Sequence, residues 1–229
     1  GNSTLFTFEH VLATLILNHQ DFSYELSQEF FCLAWCTLIV EGRLTTILAA
    51  AGKAQEISLI HPDQLVCYNT FPAHTGYVNC LTFCTSQPAW LFSGGLDQKI
   101  FLWDIGTPVI PSYKTNIQKL LCLDPGSEVL QIQISAKHKH LLAACHTGLY
   151  GWNFDEAAVM KTSRSPNVEF KLPKKDGKVL NEPLVDGLII LPNDTIVSKC
   201  SGSQMIGTWS LAATLKSKEK HSHRRQKIL

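Results

Sequence analysis

The sequence lacks any apolar run long enough to cross a bilayer. Its longest apolar stretch near the N-terminus runs from Val11 to Leu17, whereas a membrane-spanning helix needs about 20 residues. No basic segment precedes this stretch, so a secretory signal peptide is not expected. Charge is also scarce, because 17% of the 229 residues are charged and the net charge is +1. This composition indicates a globular chain with one substantial core, and no membrane partner is expected.

A secreted disulfide framework is not predicted either, although the chain has eight cysteines. They lie in apolar, strand-like runs, where a free thiol behaves as a small buried hydrophobic group. Without a secretion signal, we expect free thiols and a reducing compartment. The pairs Cys32/Cys36 and Cys80/Cys84 do not predict a metal site, because residues four apart on a strand lie about 13 Å apart. We expect no metal or other cofactor.

The sequence repeats itself with a period near 50 residues. Phe31–Thr37 recurs 48 positions later as Asn79–Thr85, with both cysteines, the leucine, an aromatic residue and the threonine in the same places. A tryptophan recurs at Trp103, Trp152 and Trp209, spaced by 49 and 57 residues. Such a period, with four short strands in each repeat, is typical of a β-propeller.

Residues 74–104 carry the clearest pattern of one repeat. Three short apolar runs are separated by Gly, Asp and Pro, which predicts strands joined by tight turns. A His-containing turn, a Ser-Gly pair, an Asp-containing turn and a closing Trp-Asp dipeptide resemble one blade of the WD40 family. The resemblance implies that His74, Ser93, Asp97 and Trp103 form a buried structural relay. It would run from the indole N–H through the hydroxyl and imidazole to the carboxylate.

The predicted fold is all-β, an incomplete WD40 β-propeller of about four blades of four-stranded antiparallel sheets between residues 29 and 211. Residues 1–28 are expected to be a remnant of a preceding blade or an irregular segment. Because the chain begins at Gly1 rather than Met, we expect a fragment or a processed product. Because four repeats do not complete the usual ring, we expect a piece of a longer propeller or a truncated variant whose missing blades come from elsewhere. The predicted strands are Phe30–Thr37, Thr45–Ala51, Glu56–His61, Leu65–Phe71, Val78–Cys84, Trp90–Ser93, Lys99–Ile105, Ile117–Leu123, Val129–Ile134, His140–Cys145, Leu149–Phe154, Val168–Leu172, Leu184–Leu191, Thr195–Lys199 and Met205–Leu211.

Residues 212–229 are expected to form a disordered basic tail. Residues 216–229 carry six Lys or Arg and one Glu, a net charge of +5, so residues 1–215 carry −4. The tail is either an arm that binds DNA or directs the chain to the nucleus, or a flexible segment without a specific partner. Its basic residues are Lys216, Lys218, Lys220, Arg224, Arg225 and Lys227.

No set of residues predicts catalysis, so the chain is not expected to be an enzyme. The relay has the residue types of a nucleophilic triad, but its serine lacks the sequence context of a nucleophile elbow. Cys145 precedes His146 but lies in an apolar run, where a thiolate is disfavoured. His138 and His140 alternate with lysines, as in an exposed turn.

Six segments resemble, in order and spacing, the WD40 part of the leucine-rich repeat and WD repeat-containing protein 1 family. These segments are Glu29–Trp35, Ile47–Gly52, Phe92–Gly106, Leu120–Asp124, Val185–Leu188 and Ile196–Gly202. The resemblance extends over about residues 29–211, and the N-terminal 28 residues and the tail match poorly. It implies a nuclear chromatin protein that binds the origin recognition complex and repressive trimethyl-lysine marks on histone tails, in support of heterochromatin organisation and replication initiation.

The resemblance also implies one ligand-binding residue. The embryonic ectoderm development protein of Polycomb complexes, a related propeller, has a similar aromatic run, and its second aromatic residue is a wall of a methyl-lysine cage. That role carries over to Phe31, since aromatic rings attract a trimethylammonium group. The alternative places Phe31 in the core at the strand edge, and Trp35 is expected in the core. The other walls are expected in the preceding blade and in one after residue 211.

A second function remains open at this stage. Fold alone does not exclude a generic WD40 protein–protein adaptor outside chromatin, because one fold hosts many functions. Only the resemblance of several segments to one family favours a function in chromatin over a function elsewhere. Binding to origin recognition complex subunits distinguishes the two functions.

Overall fold

The computed structural model describes residues 29–170, 184–201 and 205–216. The chain divides into two compact units after Cys122, and each unit is described separately. Every strand in these residues belongs to a small sheet, and within each sheet the strands that follow one another in sequence are neighbours. None of the helices in the described parts is long and apolar enough to span a membrane.

The first unit contains two four-stranded sheets. The strands of the first sheet are β1 (Phe30–Val40), β2 (Arg43–Gly52), β3 (Glu56–His61) and β4 (Val66–Pro72). The strands of the second sheet are β5 (Val78–Phe83), β6 (Trp90–Gly95), β7 (Ile100–Asp104) and β8 (Gln118–Leu123). A 3-10 turn at Pro62–Gln64 joins β3 to β4.

A tight hairpin joins β1 to β2. Val40 pairs with Arg43, and the two residues between them, Glu41 and Gly42, have φ values of 49° and 77°. Positive φ at both central positions gives the turn whose twist matches that of the flanking strands, and glycine adopts it at little cost. The turn therefore fixes the register of the longest strand pair in the unit.

Strand β2 has a nearly continuous apolar sequence because both of its faces are buried. Positions 47–51 read Ile-Leu-Ala-Ala-Ala and are fully buried. Ile47, Ala49 and Ala51 pack in the core that the first and second sheets share, whereas Leu48 and Ala50 pack in a smaller cluster on the other face of the strand. A strand buried on both faces loses the alternation of apolar and polar residues.

The second unit contains one four-stranded and one three-stranded sheet in the residues described. The strands of the third sheet are β9 (Val129–Ser135), β10 (His140–Cys145), β11 (Gly148–Asn153) and β12 (Val168–Phe170). The strands of the fourth sheet are β13 (Val185–Ile190), β14 (Thr195–Cys200) and β15 (Met205–Ser210). A 3-10 segment, Glu156–Lys161, precedes β12.

Residues of the third and fourth sheets share one core. Leu142, Leu149 and Phe170 pack with Leu188 and Ile196 in a single buried cluster. As in β2, the second strand of the third sheet is buried along its length from Leu141 to Cys145. The same sheet position has the same apolar sequence pattern in both units, because both faces of that strand are covered.

The predicted all-β fold is confirmed, and each predicted strand has a counterpart. The three repeated tryptophans lie on the third strand of their sheets, at Trp103 in β7, Trp152 in β11 and Trp209 in β15. The fourth sheet has three strands in the described residues, not the four of the general prediction. The segment 1–28, expected to be a blade remnant, lies outside the described residues.

The prediction that a disordered tail begins at residue 212 is wrong for its first residues. Residues 211–216 are helical. Ser210 caps this turn, because its hydroxyl accepts the Ala213 N–H at 3.3 Å and its carbonyl accepts the Thr214 hydroxyl at 2.9 Å. Leu211 is fully buried in the core of the second unit and Leu215 packs against that core. Two apolar anchors and a serine cap therefore hold this segment.

Candidate functional site

A continuous chain of hydrogen bonds joins four side chains of the second sheet. Trp103 Nε1 donates to Ser93 Oγ at 2.9 Å, and His74 Nε2 lies 2.8 Å from the same oxygen. His74 Nδ1 lies 2.9 Å from Asp97 Oδ1. His74, Ser93 and Trp103 are buried. The structure thus brings together the four residues of the predicted relay, and each polar group finds its partner inside the protein.

Asp97 connects the relay to the backbone on both sides. Its carboxylate accepts the Thr75 N–H at 3.1 Å and the Lys99 N–H at 3.2 Å. Burial by itself raises the pKa of Asp97, but the hydrogen bond and charge of His74, together with the two backbone N–H groups, outweigh burial and lower it. The relay therefore fixes the turn before β5 against the turn between β6 and β7.

Close packing against Gly95 places Tyr77 next to this relay. A Cβ at Gly95 would lie 2.8 Å from His74 Nδ1 and 2.8 Å from the Tyr77 carbonyl oxygen. That carbonyl accepts the Leu96 N–H at 2.9 Å. Because only glycine permits this approach, the backbone of Tyr77 is held against the end of β6.

Phe31 and Tyr77 form an exposed pair of aromatic rings, the aromatic corner. Phe31 lies near the start of β1 and is 46% exposed, and Tyr77 directly precedes β5 and is 38% exposed. Their ring centroids are 5.8 Å apart and the ring planes meet at 69°, an edge-to-face contact that aromatic pairs favour. Two neighbouring repeats thus each present one aromatic ring to solvent at the same place.

The interpretation of Phe31 as a core aromatic is wrong, and so is the placement of Trp35 in the core. Phe31 is 46% exposed and Trp35 is 49% exposed. Ala34, Leu38 and Val40 are the buried residues of β1 that pack in the shared core. Since side chains alternate across a strand, Trp35 lies on the opposite face from Ala34 and Leu38.

An ion pair lies at the segment that leads into Phe31. Lys53 Nζ is 3.0 Å from Glu29 Oε1, and both side chains are about half exposed. The hydrogen bond to Glu29 and its charge raise the pKa of Lys53, with a further small contribution from Tyr77. The ion pair therefore joins Glu29, two residues before Phe31, to the residue that follows Gly52.

Gly52 fixes the chain that leads into Phe31. A Cβ at this position would lie 2.0 Å from the Glu29 carbonyl oxygen and 2.8 Å from the Phe31 nitrogen. The same carbonyl accepts the Lys53 N–H at 2.9 Å. Any larger residue at position 52 would displace this segment, because a Cβ does not approach a backbone atom so closely.

This arrangement suits a methylated ammonium group. Aromatic rings attract such a cation through their quadrupole. The Glu29 carboxylate is already paired with the Lys53 ammonium at 3.0 Å. Sequence reasoning found Phe31 but missed Tyr77, which belongs to the next repeat. The signal present in the sequence was an aromatic residue immediately before the first strand of that repeat.

The cysteines and histidines considered for other chemistry are engaged elsewhere. All eight cysteines lie in the described residues and are thiols rather than halves of disulfides. Burial raises the pKa of Cys145 to about 12, which holds it in the thiol form. His140 Nδ1 donates to the His138 carbonyl oxygen at 2.6 Å. Within the described ranges, no three His, Cys, Asp or Glu side chains are grouped to hold a metal ion.

One residue of the basic tail can be placed. Lys216 is exposed at the end of the helical segment 211–216. The other five lie outside the described residues: Lys218, Lys220, Arg224, Arg225 and Lys227.

Comparison with solved structures supports the fold. In a crystal structure of the mitotic checkpoint complex, one chain matches with a TM-score of 0.59 and 16% sequence identity, covering 82% of this chain and 50% of that one. At this identity, the match shows the propeller fold alone.

Sequence comparison shows the family. A model of the WD domain of leucine-rich repeat and WD repeat-containing protein 1 matches residues 12–229. The match therefore includes much of the N-terminal segment and the whole tail, where a poor match was expected. The protein of that name from Danio rerio is 34% identical over 195 residues, covering 82% of this chain and 25% of the relative.

A second relative also indicates the same family. The protein of that name from Xenopus laevis is 34% identical over 201 residues, covering 84% of this chain and 28% of the relative. This chain spans about a quarter of the length of these curated relatives. The chain is a WD40 scaffold domain, and it belongs to the leucine-rich repeat and WD repeat-containing protein 1 family.

Proposed function

We propose that this chain acts as a non-catalytic scaffold in nuclear chromatin, where it binds subunits of the origin recognition complex and methylated histone tails. The observation that carries the proposal is the family match over residues 12–229. In this role the chain supports heterochromatin organisation and the initiation of replication. Its activity is to hold partners together rather than to change them.

The aromatic corner supports methyl-lysine binding. A trimethylammonium group has no N–H to donate, so a site for it needs aromatic faces and negative charge rather than hydrogen-bond acceptors. Phe31 and Tyr77 offer exposed rings whose centroids are 5.8 Å apart. Residues 1–215 carry a net charge of −4, which attracts a basic histone tail.

The surroundings of the Ser93 hydroxyl and the Cys145 thiol support a non-catalytic role. The relay serine hydroxyl is buried and bonded to both the indole and the imidazole. A hydroxyl with two fixed partners in the core is placed to stabilise the sheet rather than to attack a substrate. Burial also disfavours a thiolate at Cys145.

The basic tail supports a contact with DNA. Six Lys or Arg in residues 216–229 give a net charge of +5 at one end of the chain. Such a segment binds the phosphate backbone without reading sequence, and salt weakens the binding.

A pull-down with purified origin recognition complex subunits tests the proposal. The 229-residue chain, immobilised, should retain at least one subunit at physiological salt, and an unrelated WD40 propeller of similar charge should not. Equal retention by the two propellers, or none by either, would contradict the proposal and favour a generic adaptor outside chromatin.

A further inference from the structure

We propose that Ser165 is a phosphorylation site for a proline-directed protein kinase. Ser165 lies in the loop of residues 162–167, between the 3-10 segment Glu156–Lys161 and β12. Kinases of this class act on a serine or threonine that is followed directly by proline, and Ser165 is followed by Pro166. The site is independent of the proposed function, because it requires neither a histone tail nor DNA.

Burial distinguishes the two places in the sequence where serine or threonine precedes proline. Residues 163–167 are exposed except for Pro166, which is half-buried. The other candidate is Thr107, and the proline that follows it, Pro108, is buried. Because a kinase must contact both the hydroxyl residue and the proline, the folded chain offers Ser165 and withholds Thr107. A residue before proline also favours extended backbone.

Hydrogen bonds to the third sheet hold the loop on both sides of Ser165. The Arg164 carbonyl accepts a hydrogen bond from Trp152 Nε1 at 3.3 Å. The Asn167 N–H donates to the Gly151 carbonyl at 2.9 Å. The backbone of the loop is therefore attached to the sheet while the Ser165 side chain stays in solvent.

Strand register explains why the loop bonds to this tryptophan. In the second sheet, Ser93 pairs with the residue two positions before Trp103 and accepts its indole N–H. In the third sheet, Ala143 has the same register relative to Trp152, and alanine has no side-chain acceptor. The Arg164 carbonyl takes the place of the missing hydroxyl, so this loop has a structural reason to keep its shape.

The modification is the transfer of a phosphoryl group from ATP. The Ser165 Oγ attacks the γ-phosphorus, and the new O–P bond forms as the bond from that phosphorus to the bridging oxygen breaks. ADP leaves with the electron pair of the broken bond, and the hydroxyl proton passes to the catalytic carboxylate of the kinase.

Phosphorylation would neutralise the charge of the loop without unfolding it. Lys161 and Arg164 are exposed and are the only charged residues between positions 157 and 168. A phosphate adds a charge of about −1.5 to −2 at pH 7, which offsets both cations. Because Ser165 is exposed, the melting temperature of the phosphorylated chain should stay within about 2 °C of that of the unmodified chain.

The test incubates the 229-residue chain with a purified cyclin-dependent kinase and ATP labelled at the γ-phosphate. Mass spectrometry of proteolytic peptides should locate the label mainly at Ser165. Ser165→Ala and Pro166→Ala should each lower incorporation at least about tenfold, because the first removes the acceptor and the second removes the proline that the kinase selects. Thr107→Ala is the matched control and should leave incorporation within about twofold of the unaltered chain.

A synthetic peptide of residues 161–169 separates the motif from its setting in the fold. Both the peptide and the folded chain should be labelled. If the peptide is labelled but the folded chain is not, or if neither is labelled, the proposal is overturned. Full incorporation into Ser165→Ala, or its loss in Thr107→Ala, would overturn it as well. A melting temperature that falls by more than about 5 °C on phosphorylation would contradict the claim that the loop keeps its shape.

Discussion

The ring of Phe31 meets the ring of Tyr77 edge to face, with centroids 5.8 Å apart. The two residues belong to successive repeats and are 46 positions apart in the sequence. Their contact links the start of β1 to the start of β5 on the surface of the first unit. A ligand site assembled from two repeats in this way depends on the residues that hold each repeat in register.

Removal of the relay hydroxyl should destabilise the chain. In Ser93→Ala, the buried indole N–H of Trp103 and the imidazole of His74 both lose their partner. We expect the free energy of unfolding in urea to fall by about 2–4 kcal/mol. Ser112→Ala is the control, since its hydroxyl lies in an exposed loop, and should change stability by less than about 0.5 kcal/mol. Equal effects of the two substitutions would contradict the stabilising role of the relay.

Replacement of Trp103, the tryptophan of the relay, should destabilise the chain more than replacement of Ser93. Trp103 is buried and packs edge-on against Phe71 with centroids 5.1 Å apart. Trp103→Ala should lower the free energy of unfolding by roughly 3–5 kcal/mol. Trp35→Ala provides the comparison, because Trp35 is 49% exposed, and we expect a far smaller loss. A melting curve unchanged by Trp103→Ala would remove this indole from the core.

The Asp97 carboxyl should make stability depend on acid pH. Its pKa in the folded chain is below the ordinary value of 3.8. Its contribution is therefore complete above the pKa of the unfolded chain and is lost as the pH falls through the lower folded value. Between pH 5 and pH 3, the unaltered chain should lose more stability than Asp97→Asn, which has no carboxyl to protonate there. If the free energy of unfolding falls equally with pH in the two proteins, the partners of Asp97 do not lower its pKa.

A side chain at position 52 should disturb the segment that carries Phe31. In Gly52→Ala, the new Cβ would approach within 2.0 Å of the Glu29 carbonyl oxygen. We expect a lower melting temperature and weaker methyl-lysine binding together. The control is Gly148→Ala, whose Cβ would meet no atom closer than 3.6 Å. If Gly52→Ala behaves like this control, the close approach at Gly52 does not position Phe31.

Deletion of residues 216–229 should weaken binding to DNA. The deletion removes six Lys or Arg, and each phosphate contact contributes about 0.9 to the slope of log affinity against log salt. The slope for the shortened chain should be shallower by up to about five. Identical salt dependence for the two chains would show that the tail does not contact DNA.

Repeated patterns in the sequence were enough to place the strands. Glu56–His61 and His140–Cys145 were predicted to the residue, because turn residues bound short apolar runs. The relay was also predicted, because the resemblance of residues 74–104 to one WD40 blade implies it. These features depend on contacts within one repeat.

Features that depend on packing outside the repeat were not predictable in the same way. Phe31 and Trp35 lie in an apolar run, and the sequence does not say which face of that strand is covered. The contact with Tyr77 is made between repeats and leaves no periodic signal. Similarly, the helical residues 211–216 are held by the burial of Leu211 in the core of the second unit. The sequence of these six residues has no strand pattern and runs directly into the basic segment.

The most direct test of the account is the affinity of the 229-residue chain for one histone-tail peptide with and without trimethylation of a single lysine. If the aromatic corner binds that modification, the trimethylated peptide should bind at least about tenfold more tightly, which corresponds to about 1.4 kcal/mol. Equal affinity for the two peptides would contradict the central claim, because charge alone attracts both.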